Sequence, residues 1–148
     1  MDNQTKLKIL VIIIAFIQPI IILSVLGCVG SISMSCGSVL QPLFLFTNVA
    51  TSFYFFQVER WKIPALLLFL LTIFSVNIYP ISHNIIAICF FVSCIFGMTR
   101  GNYYKLFIAV YLLSLPIYYL TNFFWAEFFA VSILCTYHTR LLIIVNRI

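Results

Sequence analysis

The chain has 148 residues, of which 64% are hydrophobic and only 7% are charged. About a quarter of the residues of a soluble domain are charged, because they cover its surface, so this composition excludes a soluble globular domain. The net charge of +5 does not indicate nucleic acid, since the basic residues are scattered and form no stripe. We predict an all-α, polytopic membrane helix bundle.

Apolar runs long enough to cross a membrane follow one another along the chain. A spanning helix needs about 17 to 25 mostly apolar residues. By this measure we predict a single transmembrane domain over 1–148 with six transmembrane helices, at about 8–26, 39–56, 63–79, 83–98, 104–120 and 123–138. Pro19 predicts a kink in the first helix, and Pro116 predicts an interruption in the fifth. Residues 141–148 form a short tail, for which a helical extension along the interface is one interpretation.

The basic residues test this division of the chain. They lie before the first predicted helix and beside the turns after the second, fourth and sixth: Lys6, Lys8, Arg60, Lys62, Arg100, Lys105, Arg140 and Arg147. All eight therefore fall on one side of the predicted bundle, and the positive-inside rule makes that side cytoplasmic. Both termini are predicted to be cytoplasmic, in a multi-pass membrane protein that would lie in the plasma (inner) membrane if the source is bacterial.

The N-terminal segment also needs consideration as a targeting signal. Lys6 and Lys8, the apolar run after them and Val25–Cys28 together resemble a bacterial lipoprotein cleavage site. The run is longer than the roughly 7 to 15 apolar residues of a signal peptide, and it contains the pair Gln18–Pro19. We expect the first helix to be retained.

Glu127 is the only acidic residue inside a predicted span, and it lies about one turn below the outer surface. A charged carboxylate in hydrocarbon costs several kcal/mol unless it is paired, protonated or facing a water-filled cavity. One hypothesis is that Glu127 is an acid, a base or a cation-binding group. The other is that it is a neutral or interface-directed side chain that forms a hydrogen bond to a neighbouring helix.

His83 begins the fourth predicted helix at a depth similar to that of Glu127. Polar residues of the second to fourth segments could form a pocket with it near the outer leaflet, and the candidate binding residues are Gln41, Asn48, Asn77, Ser82 and Asn84. In the alternative interpretation, His83 and Asn84 cap their helix and face water, and Asn48 forms a bond across helices like other polar groups in membranes.

The cysteines give one candidate disulfide and no metal site. Cys28 and Cys36 share the first outer loop, where an oxidising compartment would allow them to form a disulfide. Their spacing is not C-x-x-C, and the two histidines of the chain are predicted to lie at opposite membrane faces. No Cys pair has the spacing of zinc ligands, so we expect neither a metal nor a cofactor.

Three short motifs carry a resemblance to a known family: Ile32-Ser33 with Pro42 and Phe44, Ser82-His83-Asn84 with Ala87 and Phe90-Phe91, and Ala126-Glu127. In these motifs the chain resembles the six-helix membrane proteins that include damage-regulated autophagy modulators and GPI-anchor lipid-remodelling proteins. The second motif is similar to a His-x-x-x-Ala re-entry of that family, and the third lies where the family usually has an acid followed by apolar residues. The resemblance implies six helices with both ends in the cytoplasm.

Three classes of function fit these features. We favour a small integral membrane protein that binds or modulates lipid-like molecules through the outer polar pocket, because of the polar cluster there and because the short loops leave access for lipid. An intramembrane lipid hydrolase or transferase is the second; it would use His83 and Glu127 as acid and base, within about 3 Å directly or through one water. The third is an accessory subunit of a larger membrane complex, or a small transporter. The expected partners are membrane lipids, with other membrane subunits or further copies of the chain in the third case, and not nucleic acid.

Overall fold

The computed structural model describes residues 3–99 and 103–145. Within those ranges the chain forms seven α-helices and two short 3₁₀ turns, and it contains no β-strand. The helices are α1 (Asn3–Leu26), α2 (Gln41–Phe56), α3 (Lys62–Ile73), α4 (Pro80–Gly97), α5 (Tyr104–Leu112), α6 (Ser114–Leu120) and α7 (Phe123–Val145), and the 3₁₀ turns are Ile32–Ser35 and Glu59–Trp61. The predicted all-α class is confirmed. Of the residues used for the topology prediction, Arg100 and Arg147 lie outside the described ranges.

Two helices of the described chain are long and apolar enough to cross a membrane. They are α1, with 24 residues, and α4, with 18 residues. The segment Tyr104–Leu120, which contains α5 and α6, is apolar but shorter than that criterion. These two helices indicate membrane association, whereas the six transmembrane spans stay a prediction.

The helix α3 ends earlier than the predicted span 63–79. Phe74 leaves the helical conformation, with φ −90° and ψ 76°, and the backbone nitrogens of Ile78 and Tyr79 both donate to the carbonyl of Ser75. This turn is polar and is followed by Pro80, which has no N–H and suits the first turn of a new helix. The next helix, α4, therefore begins at Pro80 rather than at the predicted position 83.

The fifth predicted span is divided into α5 and α6 at Leu113. The nitrogen of Leu113 donates to the carbonyl three residues back, at Val110, and Pro116 cannot donate to the preceding turn. The last helix, by contrast, continues beyond the predicted end at 138 and stops at Val145. The helical extension of the tail is thus confirmed for residues 141–145, whereas its placement along the interface stays a prediction.

The helices group into two compact units. The first comprises the described parts of Met1–Ile32 and Met98–Ile148, and the second comprises Ser33–Gly97. In the first unit α7 packs against α1, α5 and α6, and in the second unit α3 packs against α2 and α4. The single domain over 1–148 stays a prediction.

In the first unit α1 and α7 run antiparallel. The Cys135 thiol of α7 donates to the carbonyl of Ile12, with 3.7 Å between the two atoms, and the rings of Phe16 and Phe128 have centroids 6.4 Å apart. An increase in residue number on α1 thus corresponds to a decrease on α7. The buried residues of α7 recur at the spacing of one helix face: Phe124, Ala126, Glu127, Ala130, Leu134, Cys135, Tyr137 and His138.

In the second unit an aromatic cluster fixes the end of α4 against the turn before α3. Trp61 is buried, and its ring centroid lies 4.6 Å from that of Phe55. A Cβ atom added at Gly97 would lie 2.8 Å from Cε2 of Trp61. Because real Cβ atoms essentially never approach so closely, the position requires glycine for this packing.

Candidate functional site

Glu127 lies in the second turn of α7, and its side chain is buried. Its Oε2 atom accepts a hydrogen bond from the backbone nitrogen of Ile32, at 2.5 Å. Ile32 is the first residue of a 3₁₀ turn, where backbone N–H groups lack a partner within the helix. The carboxylate therefore joins two parts of the first unit that are 95 residues apart in the sequence.

His83 lies in the first turn of α4 and is also buried. Its Nδ1 atom is 2.6 Å from the carbonyl oxygen of Phe74. A carbonyl can only accept, so Nδ1 carries the proton, and the ring closes the end of α3 onto the start of α4. Among the described residues, the buried Nε2 atom has no hydrogen-bond partner.

The two residues of the predicted His–Glu pair belong to different units. Each has a backbone partner in its own unit, Phe74 for His83 and Ile32 for Glu127. Their use as an acid and a base stays a prediction.

The remaining candidate binding residues all lie in the second unit. The side-chain nitrogen of Asn77 donates to the carbonyl of Cys36, which joins the turn after α3 to the loop before α2. Gln41 and Asn84 are exposed, and Asn48 and Ser82 are half-buried. The hydrogen bond of Asn77 thus has a structural role, since it joins two loops. A common binding pocket formed by these residues stays a prediction.

The cysteines proposed for a disulfide are both free thiols in the structure. Cys28 is exposed, and its sulfur accepts a hydrogen bond from the side-chain nitrogen of Asn122, at 3.3 Å. Cys36 is buried in the second unit. Within the described ranges, no three His, Cys, Asp or Glu side chains come together as metal ligands.

An open groove in the first unit was not predicted from the sequence. It has a volume of about 580 Å³ and is formed by α1, α5 and α7. Its apolar wall consists of Ile12, Ile13, Phe16, Ile17 and Phe107. The α7 side adds Cys135, Thr136, Thr139 and Arg140. The sequence feature that could have predicted this side of the groove is the spacing of residues 136, 139 and 140, which places three polar side chains on one helix face.

Arg140 is the cation of the groove. Its guanidinium carbon lies 3.8 Å from the centroid of the Tyr103 ring, a cation–π contact. The hydroxyls of Thr136 and Thr139 donate to the backbone carbonyls of Ser132 and Cys135, each at 2.8 Å. These hydroxyl protons are therefore in use, and the N–H groups available at this end of the groove come from Arg140.

Within the described ranges, no carboxylate forms an ion pair with Arg140. Glu59, in the second unit, forms an ion pair with Lys62 at 2.7 Å. Glu127 is on the same helix as Arg140 but about 20 Å away along its axis, from a rise of about 1.5 Å per residue. The positive charge at the groove is thus unmatched by any acid that the structure describes.

Comparison with known proteins adds no further constraint. No family model, no curated protein and no solved structure matches the chain. The resemblance to the autophagy-modulator and lipid-remodelling family stays a prediction.

Proposed function

We propose that this chain is an integral membrane protein that binds a membrane lipid in the groove between α1, α5 and α7. The observation that carries the proposal is a groove that combines an apolar wall with one cationic side chain at its end. That combination suits an amphiphile, since an acyl chain would pack against the apolar wall while the polar headgroup would contact the cation. The proposal places the lipid site within the first unit, whereas the residues of the predicted outer pocket, apart from Glu127, belong to the second unit.

The dimensions and the openness of the groove support this function. Sites for small molecules typically enclose about 300 to 1,000 Å³ and are mostly apolar, with a few polar groups that fix orientation. The groove has about 580 Å³, and it is open along one side, so a lipid would enter laterally. The sequence-based topology places Arg140 with the other basic residues at the cytoplasmic surface, which is where a headgroup would lie.

Photocrosslinking tests the site. A phospholipid with a diazirine in its acyl chain is incorporated into nanodiscs with the purified protein, and the adducts are located by peptide mass spectrometry. We expect adducts on residues 12–17 of α1 in excess of those on the exposed apolar residues of α4, such as Ile85 and Ile88. A uniform distribution over all exposed apolar faces would indicate solvating lipid and would overturn the proposal.

A blocking variant sharpens the test. Ile13→Trp adds volume inside the groove, where Ile13 is 48% exposed. Val25→Trp is the matched control, because Val25 lies on α1 with 56% exposure and does not line the groove. We expect Ile13→Trp to remove the excess adducts and Val25→Trp to leave them unchanged.

A further inference from the structure

We infer that the groove selects an anionic phospholipid over a zwitterionic one, and that Arg140 is the residue that recognises the headgroup phosphate. This inference rests on the proposed function and names the class of lipid. The occupant is a lipid rather than a free anion, because an inorganic phosphate would leave the apolar wall of Ile13, Phe16 and Ile17 without a role.

The first argument is the geometry of the cation. Arg140 is half-buried and lies over the Tyr103 ring, which limits the positions of an otherwise flexible side chain. An arginine on an aromatic ring commonly stacks with its flat face. Its N–H groups then point outward in the plane of the guanidinium, where they can bind two oxygens of one phosphate. Tyr103 is accordingly a positioning residue.

The second argument is the distribution of charge at this end of the groove. Because α1 and α7 are antiparallel, with Ile12 beside Cys135, Lys8 lies one turn further along α1 at the same end as Arg140. Two helices thus place cations beside the groove, and the acid of the first unit that the structure describes, Glu127, lies toward the other end of α7 and binds Ile32.

The third argument is the hydrogen-bonding capacity of the two threonines on the α7 side of the groove. The hydroxyls of Thr136 and Thr139 already donate to backbone carbonyls, so toward a ligand they offer acceptor oxygens only. A positively charged amine or choline group would find those acceptors but would also lie beside Arg140. A headgroup with a net negative charge avoids that repulsion and gains the charge-assisted bonds of Arg140.

The test compares lipids on one purified protein. Native mass spectrometry of the protein in detergent measures the binding of phosphatidylglycerol, phosphatidylcholine and inorganic phosphate, for the wild type and for Arg140→Gln, Arg140→Lys and Arg60→Gln. We expect the wild type to prefer phosphatidylglycerol by roughly 10-fold or more, the range of one charge-assisted interaction. Arg140→Gln should abolish this preference, and Arg140→Lys should keep part of it. Arg60→Gln, which removes one positive charge in the second unit, should retain it fully.

The outcomes separate this inference from the function on which it rests. If Ile13→Trp reduces the binding of both lipids but the wild type binds them equally, the groove binds lipid and the selectivity is wrong. If Ile13→Trp changes nothing, the proposed function itself is wrong. Competition by inorganic phosphate at a concentration similar to that of the lipid would show a free-anion site and overturn the commitment to lipid. Thermal unfolding of each variant verifies that it is folded.

Discussion

The Oε2 atom of Glu127 lies 2.5 Å from the backbone nitrogen of Ile32. Through this bond a buried carboxylate holds the loop that contains Ile32. A hydrogen bond to a charged group contributes about 1.5 to 3 kcal/mol, and the loss of one partner leaves the other unsatisfied. Glu127, the candidate acid or base, thus makes a structural contact whose contribution to stability can be measured separately from any activity.

We predict that Glu127→Ala lowers the free energy of unfolding by about 2 kcal/mol, because the Ile32 N–H loses its acceptor in a buried position. Glu127→Gln should cost less, since its amide keeps one acceptor oxygen. Thermal unfolding in detergent measures both. The control is Glu59→Gln, which disrupts the exposed ion pair with Lys62 and should change stability little. Equal effects of Glu127→Ala and Glu59→Gln would contradict the assignment of the Ile32 bond as stabilising.

Gly97→Ala should destabilise the second unit, because its Cβ atom would lie 2.8 Å from Cε2 of Trp61. Overpacking of this kind typically costs about 1 to 3 kcal/mol. The double variant Gly97→Ala with Trp61→Phe should recover part of the loss, since the smaller ring leaves room for the methyl group. A double-mutant cycle measured by thermal unfolding provides the coupling energy, and additive effects would show that the two positions do not clash.

Substitutions of His83 distinguish its two ring nitrogens. The amide nitrogen of Asn can occupy the place of Nδ1, and that of Gln can occupy the place of Nε2. Because Nδ1 contacts the Phe74 carbonyl, we expect His83→Asn to keep more stability than His83→Gln, by roughly 1 kcal/mol, the value of one hydrogen bond. The reverse order in thermal unfolding would mean that Nε2 carries the main contact of the ring.

Thiol labelling tests both the first loop and the candidate disulfide. Cys28 is an exposed free thiol, and Cys36 is buried, so a water-soluble maleimide should label Cys28 rapidly and Cys36 only after unfolding. Because Cys89 is also an exposed free thiol, the labelling is measured in a Cys89→Ser background, in which the additional change Cys28→Ser should remove the rapid reaction and identify its source. Labelling of Cys28 that appears only after treatment with a reductant would instead show that the disulfide with Cys36 forms.

Local sequence patterns predicted where the helices lie, but they could not predict contacts between residues that are far apart in the sequence. Each predicted span contains helix because apolar runs and prolines act within a few residues. The early end of α3 was missed because Phe74 and Ile78 extend the apolar run, although the Ser75 carbonyl already closes a turn there. The Glu127–Ile32 bond joins residues 95 apart, and no local pattern specifies such a pair.

The groove was missed for a related reason. Its polar side has a local signal in Thr136, Thr139 and Arg140, but most of the apolar wall comes from α1, more than a hundred residues earlier. An isoleucine that lines a groove and an isoleucine that contacts bulk lipid look the same in the sequence. Only the packing of α1 against α7 separates the two.

The 12 residues of α3 have a consequence for the membrane itself. They rise about 18 Å, whereas the hydrocarbon core of a bilayer is about 30 Å thick. If α3 is one of the six predicted spans, a helix with this mismatch crosses only where the bilayer thins or where its turn is held below the surface. At that depth backbone groups would need partners within the protein, and the Asn77 bond to Cys36 and the Ser75 turn are such partners. The predicted topology then makes bilayer thickness a control on the stability of the second unit, which should fall as the acyl chains of the surrounding lipid lengthen.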